Sequence, residues 1–484
     1  MTTISQIRRL LTARALSCRE LTGQYLSAAR NVNPEINAFI SLTEDTALSA
    51  ADAVDQKLQT GGALSPLEGI PFVLKDNIST KGLTTTCASR MLENYVPVYD
   101  AAVWESLKAQ NAVMVGKGNM DEFAMGSTCE NSYFGGSKNP HNTAHVAGGS
   151  SGGVAAVVAG NLAVYGIGSD TGGSIRMPAS FCGLVGLKPT YGAVSRRGLI
   201  AYGSSLDQIG PITACVEDAA LVFDAICGKD AGDMTSRGAQ PVSGKLTGSV
   251  KGLRIGIAKE FFEGLPGEIQ QSLDNALQLY QALGAELVEL DFPLLQYVLP
   301  TYYILACAEA SSNLGRYDGL RYGHRAAAFS DLDDFVCRTR TEGFGKEVRR
   351  RILLGTYVLS AGYYDAYYNK AQLLRKSIIA EFDKLLGSCD VLLTPTVPVT
   401  ALKFGADMTP VETYQTDILT CSVNIAGLPA VSVPCGFDQK ALPIGLQLIG
   451  GRFREETILN AALAFERETA GAFIKTAEMG VRLS

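Results

Sequence analysis

Histidine is almost missing from this 484-residue chain, which has only His141, His145 and His324. A serine–histidine triad or a histidine metal site would have to be built from these three. His141 and His145 are four apart, but Pro140 and Asn142 mark a loop, and no Glu joins them as it would in a metalloprotease helix. No metal site is expected. Paired cysteines are missing too: the eleven thiols are scattered, odd in number and without a Cys-x-x-Cys pair. That excludes a disulfide framework and a zinc site, leaving buried thiols in a reducing cytosol. Positive charge is not in surplus. Lys plus Arg number 42 against 48 Asp plus Glu, a net charge of -6, so nucleic acid would have to be held mainly by a partner. Long apolar runs are absent as well. The longest, residues 154–167, is interrupted by Gly160, Asn161 and Gly166 and falls short of the roughly 20 residues that span a bilayer. The N-terminal Thr2-Thr-Ile-Ser-Gln-Ile-Arg-Arg-Leu-Leu has helical spacing without the continuous apolar core of a signal peptide. No membrane association and a cytoplasmic location are expected.

What the chain does have is apolar content of 46% with 19% charge, enough for a large core. Its 51 glycines exceed the roughly 7% average usage. They crowd residues 116–198, where backbone turns tightly or approaches a ligand, and this marks the candidate active-site region. Residues 1–60 read as helices, with Ile7, Leu10, Leu11, Leu16, Leu21, Tyr25 and Leu26 recurring three to five apart. From Ile70 onward, β-rich runs alternate with helical stretches and glycine turns. These runs are residues 71–74, 112–116, 252–257, 391–394 and 430–434, and residues 154–167 read as a helix followed by a strand. The pattern predicts an α/β fold, a large mixed β-sheet covered by helices on both faces. Residues 228–252 read as a surface loop rather than a domain break. One domain over 1–484 is expected: a helical N-terminal layer at 1–60, a core at 66–226 carrying the chemistry, and 252–484 completing the sheet.

Three residues carry candidate chemistry. Lys75 closes the apolar run Ile70-Pro-Phe-Val-Leu-Lys75; Ser150 lies in Gly148-Gly-Ser-Ser-Gly-Gly153 and Ser174 in Asp170-Thr-Gly-Gly-Ser174. A nucleophilic hydroxyl needs a base, and a neutral lysine acting through a second serine can replace histidine. Burial lowers a lysine pKa from about 10.4 toward neutrality. Taken alone, a lysine ending a strand is more often a snorkelling side chain or half of an ion pair, here with neighbouring Asp76. Glycine–serine runs are often plain turns or phosphate loops, although neither loop here ends in the Gly-Lys-Ser/Thr of a P-loop.

Together, Lys75, residues 148–153 and residues 170–174 with Arg176 and Pro178 resemble the amidase signature family of serine-serine-lysine hydrolases. Further segments narrow the likeness to the family's branch of glutaminase subunits of tRNA-dependent amidotransferases. They are Asn119-Met-Asp-Glu-Phe-Ala-Met-Gly-Ser127, Lys188-Pro-Thr-Tyr-Gly192, Ser204-Ser-Leu-Asp-Gln-Ile-Gly-Pro211 and Glu342-Gly-Phe-Gly-Lys-Glu-Val348. The match runs over nearly the whole chain.

The resemblance implies that Ser174 is the nucleophile, Ser150 the bridging serine after a cis Gly149–Ser150 peptide, and Lys75 the base. It makes the amides of Thr171, Gly172, Gly173 and Ser174 the oxyanion donors. It places Met125, Gly126, Ser127, Tyr302, Arg351 and Asp417 around glutamine. In Val348-Arg-Arg-Arg-Ile352, Arg351 shares the face of Val348 and Gly355, unlike Arg349 and Arg350, and so is the expected carboxylate partner. Asp417 matches the ammonium partner and Tyr302 the side-chain contact; ordinary ion pairing and core packing are the competing readings. The resemblance further implies no cofactor in this chain, with ATP and Mg at a tRNA-binding B subunit, and a small C subunit completing the complex. Three positions depart from the family pattern: Ala147 where proline is usual, Val154 where a smaller residue is common, and Met177 in place of glutamine. The alternatives are a free-standing amidase acting on another small carboxamide, and a non-hydrolytic binding protein that keeps the glycine loops as scaffold.

Overall fold

The computed structural model describes residues 1–474, 477 and 479–482. The N-terminal helices Ile4–Thr12 and Cys18–Ile36 both start on a capping box, Thr3 with Gln6 and Ser17 with Glu20, in which side chain and backbone satisfy each other's hydrogen bonds. Ile4, Ile7 and Leu11 face inward at helical spacing. The N-terminal layer is not wholly helical, however. Asn37 takes the left-handed conformation and ends the second helix. The chain then runs into strand β1 (Phe39–Leu42), followed by the helix Glu44–Gln59. A four-residue strand with one buried side chain leaves too little periodicity to stand out from flanking helices.

The remaining strands are β2 (Pro71–Lys75), β3 (Val113–Gly118), β4 (Lys138–Asn139), β5 (Asn142–Val146), β6 (Tyr165–Asp170), β7 (Val185–Lys188) and β8 (Gln208–Thr213). They continue with β9 (Arg254–Ala258), β10 (Glu286–Leu290), β11 (Val391–Pro395), β12 (Ala430–Phe437) and β13 (Pro443–Gly450). Eleven of them form one sheet in the order β1-β3-β2-β6-β8-β7-β12-β13-β11-β9-β10, while β4 and β5 pair separately. The sheet is mixed, as predicted: β2 is parallel to β3 and β6, whereas β8, β7, β12 and β13 pair antiparallel in succession. Every residue of β2, β3, β6, β7, β8, β11 and β13 is buried. Because strand side chains alternate between faces, both faces of the sheet must be covered.

This topology places the site. β2 and β6 are parallel neighbours, with Leu74 beside Ile167, so Lys75 and the turn after Asp170 leave the sheet together at its carboxyl edge. Ligands bind there in α/β sheets because loops and helix N-termini converge. The helix Lys346–Leu359 packs on the helix Val298–Asn313 with Gly355 at the crossing, where a Cβ would strike the carbonyl of Cys307. That close approach carries Arg351, one turn earlier, into the interior.

Candidate active site

Lys75 is fully buried at the end of β2, and its Nζ donates to Ser150 Oγ at 2.7 Å and to the carbonyl of Ser169 at 3.2 Å. Loss of water around the ammonium pulls its pKa down to about 8, against the opposing charges of Asp121, Asp170 and Asp207. The Gly149–Ser150 peptide is cis. Ser174 precedes the short helix Arg176–Phe181, and the Ser151 amide donates to the Ser174 carbonyl at 3.1 Å, setting the two serine loops side by side. Among the described residues the Ser150 and Ser174 hydroxyls do not hydrogen-bond each other.

Asp170 shapes the turn. Its carboxylate accepts the amides of Gly173 at 2.8 Å and Ile175 at 3.1 Å. Arg176 grips the same carboxylate twice, at 3.1 and 2.9 Å, inside the fold. Burial would raise the Asp170 pKa, but the Arg176 charge overrides this and holds it below the ordinary value. One expectation is corrected here. The Gly173 amide is taken up by Asp170, so it does not stand with those of Thr171, Gly172 and Ser174 as a free oxyanion donor. The Thr171 hydroxyl donates to Asp207 at 2.6 Å, and Asp207 also receives the amides of Tyr202 and Gly203.

A cleft of about 300 Å³ is lined in part by Gly126, Ser127, Glu347, Arg351, Thr413 and Tyr414. Arg351 is almost entirely buried. It donates to Glu347 Oε1 at 2.9 Å and to Tyr202 OH at 2.7 Å. Its guanidinium lies 5.2 to 5.6 Å from the ring centres of Tyr202, Tyr303 and Tyr414. Asp417, just before the helix Ile418–Ala426, accepts from Ser127 at 2.8 Å and Tyr303 at 3.1 Å. Burial pushes its pKa up to about 7, and Ser127, Arg351 and Tyr303 oppose the rise. Tyr302 links the two halves: its ring meets Tyr303 edge-on at 5.0 Å, and its hydroxyl fills the space in front of Gly172. Met125, buried, closes the turn before Gly126.

The structure therefore gathers Met125, Gly126, Ser127, Tyr302, Arg351 and Asp417 beside the serine–lysine pair. It also adds Tyr202, Tyr303, Glu347, Tyr414, Asp121 and Asp207, which the sequence reading did not single out. The Tyr302–Tyr303 doublet and the Tyr414-Gln-Thr-Asp417 run were the available signals. The three departures also find their surroundings. Ala147 keeps an amide that donates to the Ser137 carbonyl at 3.3 Å, a bond proline would forfeit. Met177 lies in an apolar pocket with Val146, Phe181 and Leu442. Val154 faces Gly118 and Gly166 on β3 and β6, whose missing side chains give it room.

His141 Nε2 lies 2.9 Å from the Cys182 carbonyl, and among the described residues no three metal-ligating side chains gather. No helix of the described residues is long and apolar enough to cross a membrane. Residues 20–459 match the family model described as Amidase. The chain is 52% identical over 469 residues to the A subunit of the glutamyl-tRNA(Gln) amidotransferase of Thermoanaerobacter pseudethanolicus, covering 96% of each. It is 51% identical over 463 residues to the protein of the same name from Neisseria meningitidis, covering 95% of this chain and 96% of that one. It also superposes on the crystal structure of the Thermotoga maritima counterpart with a TM-score of 0.81 at 41% identity, covering 96% of this chain and 94% of that one.

Proposed function

The chain belongs to the amidase family, and on that premise we propose that it is the glutamine-hydrolysing component of a tRNA-dependent amidotransferase, supplying ammonia to convert Glu-tRNA(Gln), Asp-tRNA(Asn) or both. The observation that carries this reading is the pairing of Arg351 with Asp417. A buried cation and a buried anion, 5.2 Å and a hydrogen bond respectively from Tyr303, fit the two charged ends of a free α-amino acid. A free-standing amidase acting on an uncharged carboxamide has no use for both.

The mechanism proceeds from the hydrogen bond already made. Neutral Lys75 draws a proton from Ser150 as Ser150 draws one from Ser174, the link the reading adds to the observed geometry. Ser174 Oγ bonds to the side-chain carbonyl carbon of glutamine, and the developing oxyanion takes the amides of Thr171, Gly172 and Ser174. The proton on Lys75 returns through Ser150 to the departing nitrogen, the C–N bond breaks, and ammonia leaves a glutamyl ester on Ser174. Water then attacks the ester along the same relay, releasing glutamate and restoring the serine. Asp170 and Arg176 keep the turn fixed throughout, and Tyr202 and Glu347 hold Arg351 toward the substrate.

In this reading the chain is a single domain that uses no cofactor of its own. ATP and Mg belong to a tRNA-binding B subunit, a small C subunit joins the complex, and the assembly works in the cytoplasm. The test is Ser174→Ala in the assembled complex. Ammonia release from glutamine should fall at least 10³-fold with an unchanged melting temperature, by analogy with removal of other activated nucleophiles. Undiminished turnover rejects the assignment.

A further inference from the structure

Asp121 lies where the catalytic and substrate-binding loops meet, and no step of the mechanism uses it. Its side chain is fully buried, and among the described residues it is not matched by an arginine or lysine in an ion pair. Oδ2 accepts the amide of Cys129 at 2.9 Å and Oδ1 that of Asn131 at 3.1 Å, fixing the strand of backbone that follows Ser127. On the other side, the Asp121 amide donates to the Ser150 carbonyl at 3.3 Å, and the neighbouring Asn119 carbonyl accepts Gly153 N at 3.1 Å. Two glycines let the chain close on the carboxylate: a Cβ at Gly126 or at Gly149 would land on it. One side chain thus touches both the peptide before the bridging serine and the loop whose Ser127 holds Asp417.

We propose that Asp121 is a positioning residue for glutamine hydrolysis, whose carboxylate locks the Ser150 loop to the Ser127 loop and stands as a fixed negative charge beside the catalytic lysine. This rests on the function proposed above and assigns one more residue to the same site. The charge argument follows from what else faces Lys75. Asp170 is neutralised by Arg176, and the Cys129 thiol is pushed up to about 12 by burial and stays uncharged, which leaves Asp121 and the hydrogen-bonded Asp207 as the carboxylates whose charge Lys75 feels. Asp121 reaches the lysine by position: its Oδ2 lies against Gly149, the residue before Ser150, whose Oγ takes the Lys75 hydrogen bond. Burial raises its own pKa to about 6, so it is ionised at the pH where Lys75 loses its proton. A negative charge stabilises the ammonium form, so removing it should make Lys75 a base at lower pH.

The test uses the full chain co-expressed with its partner subunits, reading kcat and KM for glutamine against pH and, separately, the rate of labelling by a serine-directed sulfonyl fluoride. In Asp121→Asn the rising limb of both profiles should move to lower pH by on the order of one unit. KM should also rise about tenfold as the Ser127 loop loosens. In Gly126→Ala the methyl displaces the carboxylate but leaves its charge; because Gly126 also lines the glutamine cleft, the readout for the lock is serine labelling, whose rate should fall several-fold as the Ser150 loop shifts, with the limb unmoved. A limb at the parental pH in Asp121→Asn, with activity lost only in proportion to folded protein, overturns the charge role. An unchanged labelling rate in Gly126→Ala overturns the locking role, whether or not Asp121→Asn folds. If Asp121→Asn does not fold, labelling of the parent enzyme decides the charge role: a limb below pH 7 overturns it. A parent complex without glutaminase activity would instead refute the function itself, with Asp121 not at issue.

Discussion

At the scale of single residues, the two perturbed groups predict a pH profile whose parts separate. Lys75, brought to about 8 by burial, must be neutral to act, so kcat/KM should rise with pH until it levels above about 8. Asp417, raised to about 7, must be ionised to hold an ammonium. As pH falls through 7 it protonates, and KM for glutamine should climb by a further factor approaching ten per unit. A carboxamide without an amino group should show the Lys75 limb alone; two limbs with that substrate would mean that Asp417 does not bind the ammonium. Arg351→Ala should raise KM for glutamine about 10- to 150-fold, the worth of a charged hydrogen bond left unmade, while changing hydrolysis of the simple carboxamide little. Equal losses on both would make Arg351 structural. Arg351 was legible in the sequence because helical period separates it from Arg349 and Arg350. Its supports were not. Tyr202, Glu347 and Tyr414 gather from positions up to 212 apart, and no local pattern records that Tyr414 donates to Glu347.

At the scale of elements, strands were legible where they are β-rich and hidden where glycine and proline interrupt them. β2, β3, β9, β11 and β12 fall within a few residues of the apolar runs that announce them. β8, Gln-Ile-Gly-Pro-Ile-Thr, carries a central proline that argues against a strand. The fold tolerates it because β8 meets β7 only at Ile212 and Thr213, leaving Pro211 beyond that ladder. β10, Glu-Leu-Val-Glu-Leu, exposes Glu286 and Glu289 at the sheet's edge and offers no apolar run. The glycines of the sheet also have a purpose that single-sequence reading missed. Gly118 on β3 and Gly166 on β6 face Val154, which stands where the family commonly has a smaller residue. Gly166→Ala should therefore destabilise the protein by about 1–3 kcal/mol through overpacking, and adding Val154→Ala should recover most of that loss. Denaturant melts of the two single variants and the double variant check this; additive losses would show that the side chains at 154 and 166 do not share one space.

At the scale of the whole molecule, the buried Arg351 and Asp417 suit a small charged substrate, and the chain has no overall surplus of positive charge to offer a polyanion. Arg351 and Asp417 are both buried around Tyr303, while the chain as a whole carries a net charge of -6. A protein that neutralises several phosphates needs an excess of Lys and Arg on one face, and its affinity then falls steeply with salt. The two demands of the proposed reaction, hydrolysing glutamine and handling an acylated tRNA, are thus best divided between chains. The isolated chain should bind tRNA no more tightly than a nonspecific acidic protein at about 0.15 M salt, and should hydrolyse glutamine slowly. Co-expression with tRNA-binding and linking subunits should bring both salt-dependent tRNA binding and a glutaminase rate at least tenfold higher. The second effect is expected because Lys75, Ser150 and Arg351 are each within 4% of full burial, so small adjustments of the covering loops control access to them. Full glutaminase activity in the lone chain, unaltered by partners, would point to a free-standing amidase instead, and the Arg351–Asp417 pair would then have to recognise an amino-acid amide for its own sake.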